Sequence, residues 1–187
     1  ASTIASLVAN GAKTLNVSGD AKVTLTAQTL GALTDVVVTN TAGVSLGTDL
    51  VTGVTFTGGA GADAVSIGST TKAITMGAGD DTVTTSTGLV GTGGSVDAGS
   101  GIDTIVMTGA QAATAGGSAT FNSKFTNFEE LTVTAGSAAA INLAGVNNVA
   151  TVNTSGQTGI LALSGFVSGG TINLTGATGG GDVQAII

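Results

Sequence analysis

Three glycine-aspartate motifs recur in phase between residues 58 and 103. They read Gly58-Gly59-Ala60-Gly61-Ala62-Asp63, Met76-Gly77-Ala78-Gly79-Asp80-Asp81 and Ala98-Gly99-Ser100-Gly101-Ile102-Asp103. Each is followed by a triplet with an apolar centre: Ala64-Val65-Ser66, Thr82-Val83-Thr84 and Thr104-Ile105-Val106. The shared form is G-G-x-G-x-D-x-U-x, with U apolar. Asp63 and Asp81 are separated by two whole nonapeptides. Each nonapeptide supplies one tight turn and one short strand, and two complete a coil. Turns one coil apart therefore stack on the same edge, about 4.8 Å from each other. The fold class this predicts is all-β: a parallel β-solenoid of the β-roll or β-helix kind.

The apolar residues keep the same register. Phe56, Val65, Ile74 and Val83 recur once per nonapeptide, and Val96 and Ile105 resume the series after a short interruption. The gap between Asp81 and Asp103 is thus a coil plus an insertion, expected within Gly88–Gly94. The intervening half-turn, Gly68-Ser69-Thr70-Thr71-Lys72, has no Asp and reads as a metal-free edge.

A glycine turn that presents carbonyls, with one carboxylate per turn, suits calcium. Calcium takes about 6 to 8 oxygen ligands at about 2.3–2.6 Å in irregular geometry. Glycine reaches the left-handed φ that such turns need. Two stacked turns offer two carboxylates and about four carbonyls. Asp80 alternates with Asp81 and is expected to point away from an ion, whereas Asp97 flanks the third motif as an auxiliary donor.

On these motifs, residues 58–106 resemble RTX (repeats-in-toxin) calcium-binding repeats. In that family the ion sits between turns two nonapeptides apart. The resemblance implies a first site of Gly59, Gly61, Asp63, Met76, Ala78 and Asp81. It implies a second site of Gly77, Gly79, Asp81, Ala98, Ser100 and Asp103, with Gly99 and Gly101 in the same turn. Met76 and Ala98 stand where the motif has its first glycine, but a backbone carbonyl survives that exchange. Gly43 and Gly116 lack a matching Asp, so end sites there are not expected.

Composition agrees with a solenoid. The 187 residues include 32 Gly and no Pro, Cys, Trp, Tyr or His, and only 8% are charged. Mean hydropathy is +0.51, which argues against disorder. Thr and Val favour strands. No apolar stretch approaches the ~20 residues of a membrane helix. The net charge is −7, with four basic residues, Lys13, Lys22, Lys72 and Lys124. Nucleic acid is accordingly not an expected partner. The low pI and absent Cys suit a secreted bacterial protein.

Residues 1–57 read as metal-free coils, 58–108 as the calcium-binding coils, and 109–187 as an excursion followed by further coils, all in one continuous domain. Strands are expected at Thr14–Val17, Lys22–Thr26, Asp35–Thr39, Gly43–Leu46 and Val51–Thr57. Later ones are expected at Ala140–Leu143, Ala150–Asn153, Ile160–Leu163 and Thr171–Leu174. Between Gly109 and Ser123 the period lapses into a helix or loop, after which Phe125, Phe128 and Leu131 seal the core. The apolar end Val183-Gln184-Ala185-Ile186-Ile187 reads as cut within a strand, so the chain is expected to be a piece of a longer one.

The absence of His and Cys removes the common general base and the thiol nucleophile, so the chain is not expected to be an enzyme. The RTX motifs, the acidic Thr/Ala/Gly/Val-rich texture and the segment Phe125-Thr126-Asn127-Phe128-Glu129-Glu130-Leu131 resemble type I-secreted bacterial surface-layer (S-layer) proteins. That resemblance implies an extracellular structural protein that self-assembles into a two-dimensional lattice. It also implies a cell-surface polysaccharide partner through another part of the chain. A segment of a large RTX adhesin, or the secretion module of an enzyme, is the alternative. An ice-binding face is a third reading, from Thr82-Val83-Thr84 and Thr132-Val133-Thr134.

Overall fold

The computed structural model describes residues 1–86, 93–134, 139–156, 160–174 and 183–185. It divides into two compact units, Ala1–Asp103 and Thr104–Ile187. The boundary falls directly after the third motif aspartate. Both units are parallel β-solenoids.

Among the described residues the first unit carries twelve short strands. They are β1 (Ser2–Ile4), β2 (Leu7–Val8), β3 (Thr14–Val17), β4 (Val23–Leu25), β5 (Gln28–Thr29), β6 (Asp35–Val38), β7 (Val44–Leu46), β8 (Thr55–Thr57), β9 (Ala64–Ile67), β10 (Ala73–Thr75), β11 (Thr82–Thr85) and β12 (Ser95–Asp97). One sheet stacks β1-β4-β7-β9-β11, and the opposing sheet stacks β3-β6-β8-β10-β12. These strands pair in parallel, as successive coils of one helix of strands require. The expected apolar series falls inside. Phe56, Ile74 and Val96 are partners in one sheet, and Val65 faces Val83 in the other. All five are at most 3% exposed. Two nonapeptides per coil thus put alternate members of the series on opposite walls of one core.

Coil length is not constant. Ser2, Val23 and Val44 stack in one column, and so do Ala64 and Thr82, but the coils between the first three are longer than the coil between the last two. The longer coils have room for a third side, the β2–β5 pair. The acidic coils are two-sided. The expected insertion at Gly88–Gly94 lies mostly outside the described residues, only Gly93 and Gly94 being within them. The strand expected at Val51–Thr57 is shorter than its pattern, because Val54 N–H turns back to Val51 O at 3.0 Å.

In the second unit, β13 (Thr104–Thr108) leads into α1 (Gly109–Gly116) and α2 (Ala119–Lys124), so the lapse in period is helical. The sequence makes these helices locally. Thr108 and Gln111 form a reciprocal capping box, and Ser118 caps α2 by accepting from Phe121 N–H at 3.1 Å. Then follow β14 (Phe125–Thr126), β15 (Glu130–Thr134), β16 (Ala139–Asn142), β17 (Thr151–Thr154), β18 (Leu161–Ser164), β19 (Thr171–Leu174) and β20 (Val183–Ala185). Strands β13-β15-β17-β19 form one parallel stack and β16-β18-β20 another. Phe125, Phe128 and Leu131 are buried as expected. Phe121 joins them, its ring stacked on Phe125 with centroids 4.2 Å apart.

Candidate metal centre

The site is one register position, followed rung by rung along the edge of the first unit. Val23 aligns with Val44, Ser45 with Ala64, and Ala64 with Thr82. The residue just before each strand core therefore reads Val23, Val44, Asp63 and Asp81. Asp103 continues the column, since Asp81 N–H donates to its Oδ1 at 2.8 Å. The three aspartates are almost wholly buried, at 1%, 1% and 0% exposure.

Each carboxylate reaches toward the N-terminal side and takes a main-chain donor from the preceding rung. Val44 N–H donates to Asp63 Oδ1 at 2.7 Å, and Asp63 N–H to Asp81 Oδ1 at 2.7 Å. The second oxygens differ. Asp63 Oδ2 accepts from Gly59 N–H in its own turn, at 3.3 Å. Asp81 Oδ2 is buried with no hydrogen-bond partner. A buried ionised carboxylate with an unmet oxygen is costly. Burial accordingly raises the Asp81 pKa to about 7, although the Asp63 N–H bond opposes it; the charges of Asp63, Asp103 and Asp80 add to the rise. Asp63 is also raised by burial, against its bonds to Val44 and Gly59 and the charge of Lys22.

The glycines set the backbone around these carboxylates. Gly77, Gly79, Gly99 and Gly101 all have positive φ. A Cβ on Gly99 would stand 1.9 Å from Gly77 O, and one on Gly101 would stand 2.0 Å from Gly79 O. Successive turns are in backbone contact, and no side chain fits between them. Ala78 N–H donates to Gly59 O at 2.8 Å, Ser100 N–H to Gly77 O at 3.0 Å, and Gly79 N–H to Ser100 O at 2.9 Å. Gly59, Gly77, Ala78, Gly79 and Ser100 thus come together as the motifs suggest, with three of their carbonyls already bridging rungs. Each such oxygen keeps a second lone pair. The Gly61 carbonyl faces Gly79, 3.1 Å from where a Cβ would be. Met76 and Ala98 turn their side chains into the core, both at 0% exposure. That is why an apolar residue is accepted at the first motif position.

A second convergence lies beside Gly58. A Cβ there would meet Met76 O at 1.7 Å and Asp63 Oδ2 at 2.7 Å, so two expected donors face one point. The donor set is all oxygen, as hard divalent cations prefer. Among the described residues no group of three or more acidic, His or Cys side chains converges. Any ion here would be held by two carboxylates of adjacent rungs plus carbonyls. The unmet Asp81 oxygen, the carbonyl cradle and the oxygen-only donors fit calcium.

Asp80 is exposed and accepts from Ile102 N–H at 2.9 Å, so it braces the next turn. Asp97 Oδ1 accepts from Gly99 N–H at 3.1 Å. The opposite edge is held by hydroxyls, with Thr70 and Thr71 Oγ1 both donating to Thr52 O, at 3.5 and 3.2 Å. Two residues escaped the motif reading. Asn40, fully buried, accepts from Ala42 and Gly43 N–H and donates to Ala21 O, each at 2.6 Å. Lys22 Nζ donates to Ala62 O at 3.1 Å, beside the first aspartate. No protein-family model matches this sequence, and no curated protein matches it either.

Proposed function

We propose that this chain is a calcium-stabilised β-solenoid serving as a structural component of a bacterial surface layer, secreted and then assembled with copies of itself into a two-dimensional lattice. One observation carries the calcium half of this reading: the buried column Asp63, Asp81 and Asp103, with an unmet oxygen on Asp81. Bound between rungs, calcium supplies positive charge and accepts lone pairs from carboxylates and carbonyls. The residues do the rest. Asp81, which stands between Asp63 and Asp103 in the column, would be the ligand shared by both sites. The glycine turns bring carbonyls to the same gaps. Where calcium is scarce, as in cytosol, the carboxylates repel and the column opposes folding. Sites of about 10⁻⁴–10⁻³ M affinity, the extracellular class, would fill outside the cell. Binding energy then becomes folding energy.

The structural half rests on the acidic, Cys-free composition and on the repetitive stack itself, which builds a wall of parallel strands from small residues. Far-UV circular dichroism during a calcium titration from chelator tests the first half. The expected result is a gain of β signal that chelator reverses and magnesium does not reproduce. A full β spectrum in chelator, unchanged by calcium, would remove the calcium half. Electron microscopy of the calcium-loaded protein tests the second half: ordered sheets are expected, and dispersed monomers would favour a non-assembling RTX segment.

A further inference from the structure

The aspartate column ends against a lysine. Earlier in the stack, the N–H at this register position meets a main-chain oxygen: Val23 N–H donates to Gly43 O at 3.1 Å. One rung later Val44 N–H goes to Asp63 Oδ1 instead. Ala62 O, the register counterpart of Gly43 O, is left for another donor, and that donor is the Lys22 ammonium at 3.1 Å. Lys22 itself occupies the same register position two rungs earlier, immediately before Val23. Its side chain must therefore cross the rung of Gly43. That position has no side chain to obstruct it, and a Cβ there would stand 2.1 Å from Ala62 O.

The carboxylates differ along the column. Asp63 has both oxygens engaged, by Val44 and Gly59, and feels the Lys22 charge. Asp81, one rung further on, has one oxygen unmet. The end nearest the lysine is satisfied from within the chain, and the middle is not.

We propose that Lys22 is a tethered cation that closes the N-terminal end of the column and makes the two calcium sites unequal. The second clause rests on the calcium reading above. A fixed positive charge repels a dication more strongly at the near gap, Asp63–Asp81, than at the gap Asp81–Asp103, about 4.8 Å further along. The far site fills first, and the near site needs more calcium. The stack thus carries its own stop, so the aspartate ladder takes two ions and no third beyond Asp63.

Lys22→Gln removes the charge, Lys22→Arg keeps it, and Lys13→Gln serves as a control at an exposed lysine outside the column. Two measurements decide. The first is thermal melting in chelator with sucrose, which holds the fold without metal. Lys22→Gln should melt several degrees lower than the parent, while Lys22→Arg and Lys13→Gln should not. Melting of Lys22→Gln with the parent would overturn the tethered cation. The second is calorimetric calcium titration. The parent should bind two ions in separated steps, and Lys22→Gln should tighten the weaker step by about threefold or more. Two steps left unmoved by Lys22→Gln would overturn the inequality. A parent that binds no calcium, with Lys22→Gln still melting low, would remove the calcium reading and the unequal sites while keeping the internal cap.

Discussion

Val23 and Val44 occupy the same edge position as Asp63, Asp81 and Asp103, in the same kind of parallel stack. The Val23 rung completes itself through the main chain, its N–H finding the oxygen of Gly43, whereas Val44, fully buried, already gives its N–H to Asp63. The aspartate rungs replace that main-chain bond by a side-chain one and bury a charge in doing so. A coil of this solenoid therefore does not need an aspartate to close. On the calcium reading proposed above, the acidic column makes its rungs conditional on an ion, whereas Val23 needs only a main-chain partner.

The sharpest way to break this comparison is to push a side chain between acidic turns. Gly99→Ala combines a φ of +96° with a Cβ 1.9 Å from Gly77 O. It should lose about 3 kcal/mol or more, read by chemical denaturation in calcium. Gly19, at φ +114° with open space around it, isolates the backbone term, and Gly19→Ala should lose only about 1 kcal/mol. Similar losses at the two sites would mean that the acidic turns are not in tight backbone contact.

Charge comes next. Asp81→Asn keeps an oxygen for Asp63 N–H but removes the buried charge. In chelator with sucrose it should melt a few degrees above the parent, and in saturating calcium several degrees below it. Asp63→Asn should show a smaller loss in calcium, because Asp63 faces one proposed site and Asp81 two. A single ranking in both conditions would contradict the conditional-rung picture.

The pH dependence in chelator reads the same buried charge without a substitution. Asp81 has a folded pKa of about 7, against an ordinary value of 3.8. The folded state thus holds the extra proton between about pH 4 and 7. Metal-free stability should fall as pH rises through that window and level off above it. Saturating calcium should reverse the slope, since ligation requires the deprotonated carboxylate. Denaturant midpoints at pH 5 and pH 8 in sucrose, with and without calcium, read both signs. A flat metal-free profile would mean that the column is not desolvated.

Much of this was legible because the signals are local and periodic. The apolar series, one member per nonapeptide, placed Phe56, Val65, Ile74, Val83 and Val96 in the core, and the two-nonapeptide spacing aligned Asp63 with Asp81. Strands β3 and β19 have the expected limits. The rest depended on relations that spacing does not carry. Counting back from Asp63 in coils of two nonapeptides misses Lys22, because the earlier coils are longer and add a third side. That the carboxylates accept main-chain N–H bonds could not be read from the motif, which fixes where a side chain lies and not what it meets. The helices α1 and α2 left a clearer trace in Thr108-Gly109-Ala110-Gln111 and in Ser118, whose caps override the strand habit around them.

A stack of near-identical rungs carries a hazard of its own, since one rung can pair with the wrong neighbour without losing many contacts. The change from longer to shorter coils partway along the first unit removes that freedom. A slipped pairing would leave surplus residues with nowhere to go, and it would set a carboxylate against the wrong donor. The aspartates also all reach the same way along the stack, so the column reads differently from its two ends. Unequal steps and a one-way ladder give a monotonous sequence a unique phase, and with it a single way to be assembled.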